Sequence, residues 1–132
     1  MNFPRFLMTA SAVLFARDQK NVAAFYAALL GAETNAGDAT YTSLTCAGFE
    51  LTVFQIPRHL LPTATSAEPV QRRERGAIRL DYPVADLPRA RREASRLGGS
   101  IDEQPPPWAG GDTSFFLGQD PEGNVFGVKV LP

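Results

Sequence analysis

Residues 115–130, with the sequence FFLGQDPEGNVFGVKV, predict two strands joined by a tight turn that closes the chain. The turn lies at 120–124, where proline presets a negative φ, glycine accepts a left-handed conformation, and Asp and Asn bond locally to the backbone. Because side chains alternate between the faces of a strand, positions 125, 127 and 129 share one face. We expect positions 126, 128 and 130 to pack in the core, and the first set to line a site.

The first half of the chain predicts one β-α-β-β-β unit. Residues 9–17 alternate as a strand, Asp18 caps the helix that follows, and Gly31 ends it. That helix carries an apolar stripe at the spacing i, i+3, i+4, i+7, made of Val22, Phe25, Tyr26 and Leu29. Three strands complete the unit, around Glu33, at 41–45 and at 49–56.

The second half repeats this order. A strand is predicted at 77–84, and Asp86 caps a second helix that ends at Gly98 and Gly99. Its inner stripe consists of Leu87, Ala90, Ala94 and Leu97. The remaining strands are predicted at 100–103, 112–117 and 124–130.

The repeat predicts an α+β fold of two βαβββ modules, at 1–57 and 76–132, joined by a proline-containing linker at 58–75 whose basic end we expect to be solvated. Units of half this length cannot each bury a core, so the two must pair. We expect each helix to cover the outside of a curved sheet, and the concave faces to form a shared cleft. The sequence leaves open whether the modules pair within one chain or across two.

Composition excludes some classes of partner. The 132 residues are 44% hydrophobic and 20% charged, and the formal net charge is −1, which gives no electrostatic reason to expect nucleic acid or an anionic membrane. Residues 1–13 predict a first strand rather than a signal peptide, and no apolar run has the length that spans a bilayer. A single cysteine, Cys46, fits a small buried side chain in a reducing compartment, so we expect a cytoplasmic protein. The single histidine, His59, is expected on the surface of the linker.

The pattern resembles the glyoxalase, bleomycin-resistance and extradiol dioxygenase superfamily, also called vicinal oxygen chelate proteins. The matching segments are Phe25-Tyr26 and Leu29-Leu30-Gly31 on the first helix, the capping Asp18 and Asp86, and the closing turn at 120–124. The resemblance covers essentially the whole chain. It implies paired modules that commonly assemble as a homodimer, and it does not fix the reaction.

The resemblance also implies where a metal would be held. The four cleft-facing ligand positions of the metal-dependent members fall here on Ser11, Glu50, Arg79 and Gly127. A catalytic divalent metal needs about three convergent His or carboxylate ligands, and a guanidinium would bring positive charge to the place of the cation. We therefore expect no metal and no other cofactor.

Several side chains are expected to share the concave side and contact a small-molecule ligand: Ser11, Phe15, Thr52, Phe54, Arg79, Asp81, Trp108 and Lys129. Buried charges must pair, so we expect Glu50 or Asp81 to engage Arg79. Arg79 then either clamps an oxyanion of the ligand or only completes an internal ion pair. Trp108, on a loop rich in Pro and Gly at 104–111, either closes over a ligand or packs at the rim.

Three functions are consistent with these residues. The first is a metal-free small-molecule-binding protein of the sequestering or resistance type, with Arg79 as the anion anchor. The second is a lyase or isomerase that acts on a small oxygenated substrate, with Glu50 as general base or metal ligand. The third is a structural dimerisation module whose cleft is filled by Phe15, Phe54 and Trp108.

Overall fold

The structure, a computed structural model, describes residues 9–46, 48–62 and 70–132. Three parts of the sequence predictions lie outside these residues: the start of the chain at 1–8, the turn residue Ala47, and the middle of the linker at 63–69.

The first module is the predicted βαβββ unit, with the elements β1 Ala10–Ala16, α1 Gln19–Leu30, β2 Glu33–Gly37, β3 Tyr41–Cys46 and β4 Phe49–Gln55. Its sheet has the strand order β1-β4-β3-β2, with β1 parallel to β4. The caps of α1 are as predicted: the Asp18 carboxylate accepts a hydrogen bond from the amide of Asn21 at 3.2 Å, and Gly31 has a φ of 61°.

The second module repeats the first, with β5 Asp81–Val84, α2 Leu87–Arg96, β6 Ser100–Ile101, β7 Phe115–Gln119 and β8 Val125–Val130. Its strand order, β5-β8-β7-β6, matches that of the first sheet element for element. The predicted α+β fold of two repeated modules is thus confirmed. Neither helix in the described part of the chain is long and apolar enough to cross a membrane.

Two predicted strands begin later than expected. The strand predicted at 77–84 begins at Asp81, because its ladder with β8 starts at the pair Asp81 and Gly127 and no described strand continues it earlier. The strand predicted at 112–117 begins at Phe115, because the Asp112 carboxylate accepts hydrogen bonds from the amide and hydroxyl of Ser114 and holds a turn there.

The end of the predicted linker is exposed at Arg73, Glu74 and Arg75, and it is also bound to the second module. Arg72 makes two hydrogen bonds to the Asp102 carboxylate, at 2.6 and 2.9 Å. The amide of Arg73 donates to the carbonyl of Gly123 in the closing turn at 2.9 Å. The charges predicted the exposure, and two Arg side chains beside acceptors on the neighbouring elements in addition hold this segment in place.

Both helices and the side of each sheet that faces them form one hydrophobic core. Tyr26 of α1 contacts the rings of Tyr82 and Phe126 in the second sheet, with centroids 5.8 and 5.9 Å apart, and α1 also contacts α2. Because side chains alternate along each strand, the other face of each sheet points away from this core. The two sheets share no strand ladder and are not closed around a common cleft within the described chain.

The closing turn ties the modules together through two carboxylates. Asp120 is fully buried and accepts hydrogen bonds from the Tyr26 hydroxyl at 2.8 Å and from the amides of Glu122 and Asn124 at 2.8 and 3.0 Å. The Glu122 carboxylate accepts from the amides of Arg17 and Asp18 at the start of α1, at 2.7 and 2.9 Å. The turn therefore positions α1 against the second sheet.

We predict that Tyr26→Phe lowers the free energy of unfolding by about 1–2 kcal/mol, because Asp120 loses a buried hydrogen-bond donor. Urea unfolding measures the change. Tyr41→Phe is the matched control, since Tyr41 lies on an open face and its hydroxyl has no partner within the described residues. Equal losses in the two variants would contradict this role of the buried bond.

The same pair gives a pH dependence. Burial, together with the charge of Asp120, raises the pKa of Tyr26 well above its ordinary value. Above a pH of about 10 the unfolded chain releases this proton while the folded chain retains it, so stability falls as the pH rises further. The decrease in the free energy of unfolding between pH 8 and pH 11, measured by urea unfolding, should be smaller in Tyr26→Phe.

Candidate functional site

The open face of the first sheet gathers the residues predicted for it. In the register of β1 and β4, three pairs of neighbours face away from the core: Ser11 with Glu50, Val13 with Thr52, and Phe15 with Phe54. The predicted alternation in β1 is confirmed, since residues 11, 13 and 15 are exposed while Ala16 is buried. This face therefore carries the candidate carboxylate, Glu50, on a rigid strand.

The first face is polar at one end and aromatic at the other. At the polar end, the Ser43 hydroxyl donates to Glu50 Oε1 at 3.0 Å. At the aromatic end, the Phe54 ring lies between Phe15 and Tyr41, with centroids 6.2 and 5.8 Å away. Sequence reasoning missed Ser43 and Tyr41. The alternation of side chains along β3 could have indicated these two residues. The register of β3 against β4, however, depends on strand pairing that the sequence pattern did not determine.

The open face of the second sheet is organised around Arg79. Its Nε and Nη2 donate to the two carboxylate oxygens of Asp81 at 2.7 and 3.0 Å, which decides the expected pairing in favour of Asp81 over Glu50. Hydrogen bonding to Asp81 raises the pKa of the Arg79 guanidinium above its ordinary value. The guanidinium also stacks on Trp108 and Phe115, with its Cζ 5.3 and 5.2 Å from the two ring centroids.

Gly127 makes room for this ion pair. It is the register partner of Asp81, and a Cβ built at Gly127 would overlap Asp81 Oδ1 and approach Phe115 Cζ to 2.7 Å. A carboxylate from β5 thus occupies the space that a side chain on β8 would need. Lys129 lies on the same face, directly opposite Phe115.

The predicted site residues form two groups rather than one. Ser11 and Glu50 meet on the first sheet, and Arg79 approaches Gly127 through Asp81 on the second. No hydrogen bond, ion pair or ring contact between described residues joins the two groups. Trp108, in a short 3₁₀ turn at Pro107–Ala109, is 63% exposed, and His59 is exposed in another at Arg58–Leu60.

These residues do not fit a divalent metal. Of the four positions that the resemblance assigns to metal ligands, one, Glu50, holds a carboxylate. Another of the four is Arg79, which has a guanidinium in place of a ligand. Within residues 9–46, 48–62 and 70–132, no group of three His, Cys, Asp or Glu side chains is arranged to hold a metal ion. Asp81, the nearest additional carboxylate, is already neutralised by Arg79.

One of two depressions adjoins the open-face group of Arg79, because Asp81 lines it. The other, of about 570 Å³ and widely open, is lined by Lys20 and residues around 34–39 at the β2 edge. The adjoining depression, of about 150 Å³, is lined by Cys46, Phe49 and residues 80–83. Burial raises the pKa of the half-buried Cys46 thiol, which disfavours a reactive thiolate. Neither depression is lined by Glu50 or Arg79.

The paired βαβββ modules are the fold of the vicinal oxygen chelate superfamily. The family model described as glyoxalase-like domain matches residues 11–129, and the chain belongs to this family. The resemblance noted from the sequence is thus confirmed.

Solved structures share this fold. A glyoxalase/bleomycin resistance protein from Albidiferax ferrireducens is similar with a TM-score of 0.62 and 16% identity, over 95% of this chain and 99% of that one. A glyoxalase/bleomycin resistance protein/dioxygenase family enzyme from Burkholderia phytofirmans has a TM-score of 0.63 and 17% identity, over 93% and 98%. A fosfomycin resistance protein from Listeria monocytogenes has a TM-score of 0.62 and 12% identity, over 94% and 90%. No curated protein matches the sequence.

We predict that Gly127→Ala destabilises the protein by about 1–3 kcal/mol, because the new methyl group displaces the Asp81 carboxylate. In the double variant Gly127→Ala, Asp81→Ala, at least half of this loss should be recovered. Urea unfolding measures both. Gly76→Ala is the control, since a Cβ there meets only the carbonyl of Ile78 at 3.5 Å. Strictly additive losses at 81 and 127 would show that the two positions do not compete for this space.

Proposed function

We propose that this protein binds a small organic molecule without a catalytic metal, as a sequestering or resistance-type member of its family, and that Arg79 holds an anionic group of that molecule. The observation that carries the proposal is the Arg79–Asp81 ion pair in the space over Gly127. A fixed guanidinium provides the positive charge that a metal provides in other members. The names of two similar proteins, a glyoxalase/bleomycin resistance protein and a fosfomycin resistance protein, include functions of the resistance type.

Arg79 retains binding capacity although it is paired. Asp81 uses Nε and one hydrogen of Nη2, and within the described contacts Nη1 has no partner. A guanidinium has five N–H donors, so a ligand oxyanion can still be held bidentately. Stacking on Trp108 and Phe115 already orders the side chain, which lowers the entropy lost on binding.

A second copy of the chain completes the cleft. The open faces of one chain point away from its core, and β1 and β5 are the edge strands of their sheets. The first face presents Glu50 and exposed apolar side chains, Phe15 being 66% exposed, whereas the second presents Arg79 and Lys129. In a twofold dimer the first face of each copy lies beside the second face of the other, so unlike charges meet twice.

The exposed rings support a ligand cleft over a filled one. Phe15, Phe54 and Trp108 are 66%, 37% and 63% exposed, so none of them plugs the open faces of its own chain. Glu50 keeps one carboxylate oxygen, Oε2, without a partner among the described residues, while Ser43 orients the other. This free oxygen is the observation that favours the second candidate function, a lyase or isomerase with Glu50 as general base.

We predict that a panel of small organic acids that includes fosfomycin contains a compound that raises the melting temperature, whereas Zn²⁺, Mn²⁺ and Ni²⁺ do not. Arg79→Met should abolish the shift, because the oxyanion loses its donors. Arg96→Met is the matched control, since Arg96 is likewise exposed and paired with a nearby carboxylate, Glu93.

Metal-dependent stabilisation, or one equivalent of bound metal per chain by elemental analysis, would contradict the proposed function. Glu50→Gln separates the two candidates once a ligand is known. Retained binding with lost turnover would assign Glu50 a catalytic role, and unchanged binding without any turnover in the parent protein would leave the binding function alone.

A further inference from the structure

The open face of the second sheet has two basic side chains. It carries Arg79, which is paired with Asp81, and Lys129. Both cations flank the same ring: Arg79 Cζ lies 5.2 Å from the centroid of Phe115, and Lys129 is the direct register partner of Phe115 across the strands. None of the ion pairs among the described residues includes Lys129. One unit of positive charge on this face is therefore available to a ligand.

The same face carries two contacting aromatic rings, tilted by 51° to each other. The rings of Trp108 and Phe115 lie 5.5 Å apart and contact each other, and the guanidinium of Arg79 is within stacking distance of both. Trp108 is nevertheless 63% exposed, so much of its indole remains free to stack. An exposed large ring that is fixed by its neighbours is a preorganised platform for another ring.

We infer that the ligand is a planar aromatic monocarboxylate, whose ring stacks on Trp108 and whose carboxylate lies between the two cations that flank Phe115. This inference rests on the proposed function and specifies its ligand class. Lys129, the cation of this pair that no carboxylate neutralises, selects one carboxylate, and Asp81 repels a second acidic group nearby. The aromatic platform selects a ring over an aliphatic chain, since ring pairs gain energy beyond the area that they bury.

Trp108 itself reports on this site, because it is the single tryptophan of the chain. Its fluorescence is followed while the full-length protein is titrated with three probes: benzoate, the saturated acid cyclohexanecarboxylate, and the neutral ring benzamide. We expect benzoate to change the emission and to bind about tenfold more tightly than either of the others, since each of these lacks one of the two interactions.

Lys129→Gln should weaken benzoate binding about tenfold and leave benzamide unchanged, because it removes one charged donor and keeps the rings. The matched control is Lys20→Gln at the only other lysine, which lies in the depression at the β2 edge and should bind benzoate as the parent does. Circular dichroism verifies that both variants fold.

Equal affinity for benzoate and cyclohexanecarboxylate would overturn the aromatic part of the inference, and equal affinity for benzoate and benzamide would overturn the ionic part. No change of Trp108 emission with any probe would overturn both. An Arg79-dependent thermal shift with an aliphatic acid would support the proposed function and contradict the aromatic ligand class. The absence of such a shift with every acid would contradict both.

Discussion

The packing of α1 against the second sheet is the interaction on which the arrangement of the two modules depends. The Tyr26 ring contacts the rings of Tyr82 and Phe126, and its hydroxyl donates to the buried Asp120 carboxylate, so α1 is held against the second sheet. The open face of each sheet points away from the hydrophobic core, and the predicted site residues lie on these two faces as separate groups.

The chemistry of the second face follows from one glycine. A side chain at position 127 would collide with Asp81. Because Gly127 has none, the Asp81 carboxylate of β5 can occupy that space. The carboxylate holds Arg79 by two hydrogen bonds, and the aromatic rings of Trp108 and Phe115 fix the guanidinium from the side. The second face thus carries a permanent organic cation. Such a cation binds and orients anions but offers no open coordination position.

Local rules predicted most of the fold. The capping Asp residues, the Gly that ends α1, the alternation in β1 and β8 and the repeat of the two modules depend on neighbours in sequence, and the structure has them. The late start of β5 was not predictable from composition, because it depends on which strand is available to pair. The choice of Asp81 over Glu50 as partner of Arg79 depended on the relative placement of the two sheets. That placement is decided by core packing between two similar apolar surfaces, which periodicity does not distinguish.

Paramagnetic relaxation between two copies tests the central claim most directly. A spin label is attached to Ser11→Cys in a Cys46→Ser background, and this unenriched copy is mixed with a ¹⁵N-enriched, unlabelled copy. The account predicts that the label broadens the amide signals of residues 79–82 and 127–129 of the enriched copy, since the first face of one chain lies beside the second face of the other. Unaffected signals at these positions in the mixed sample would contradict it.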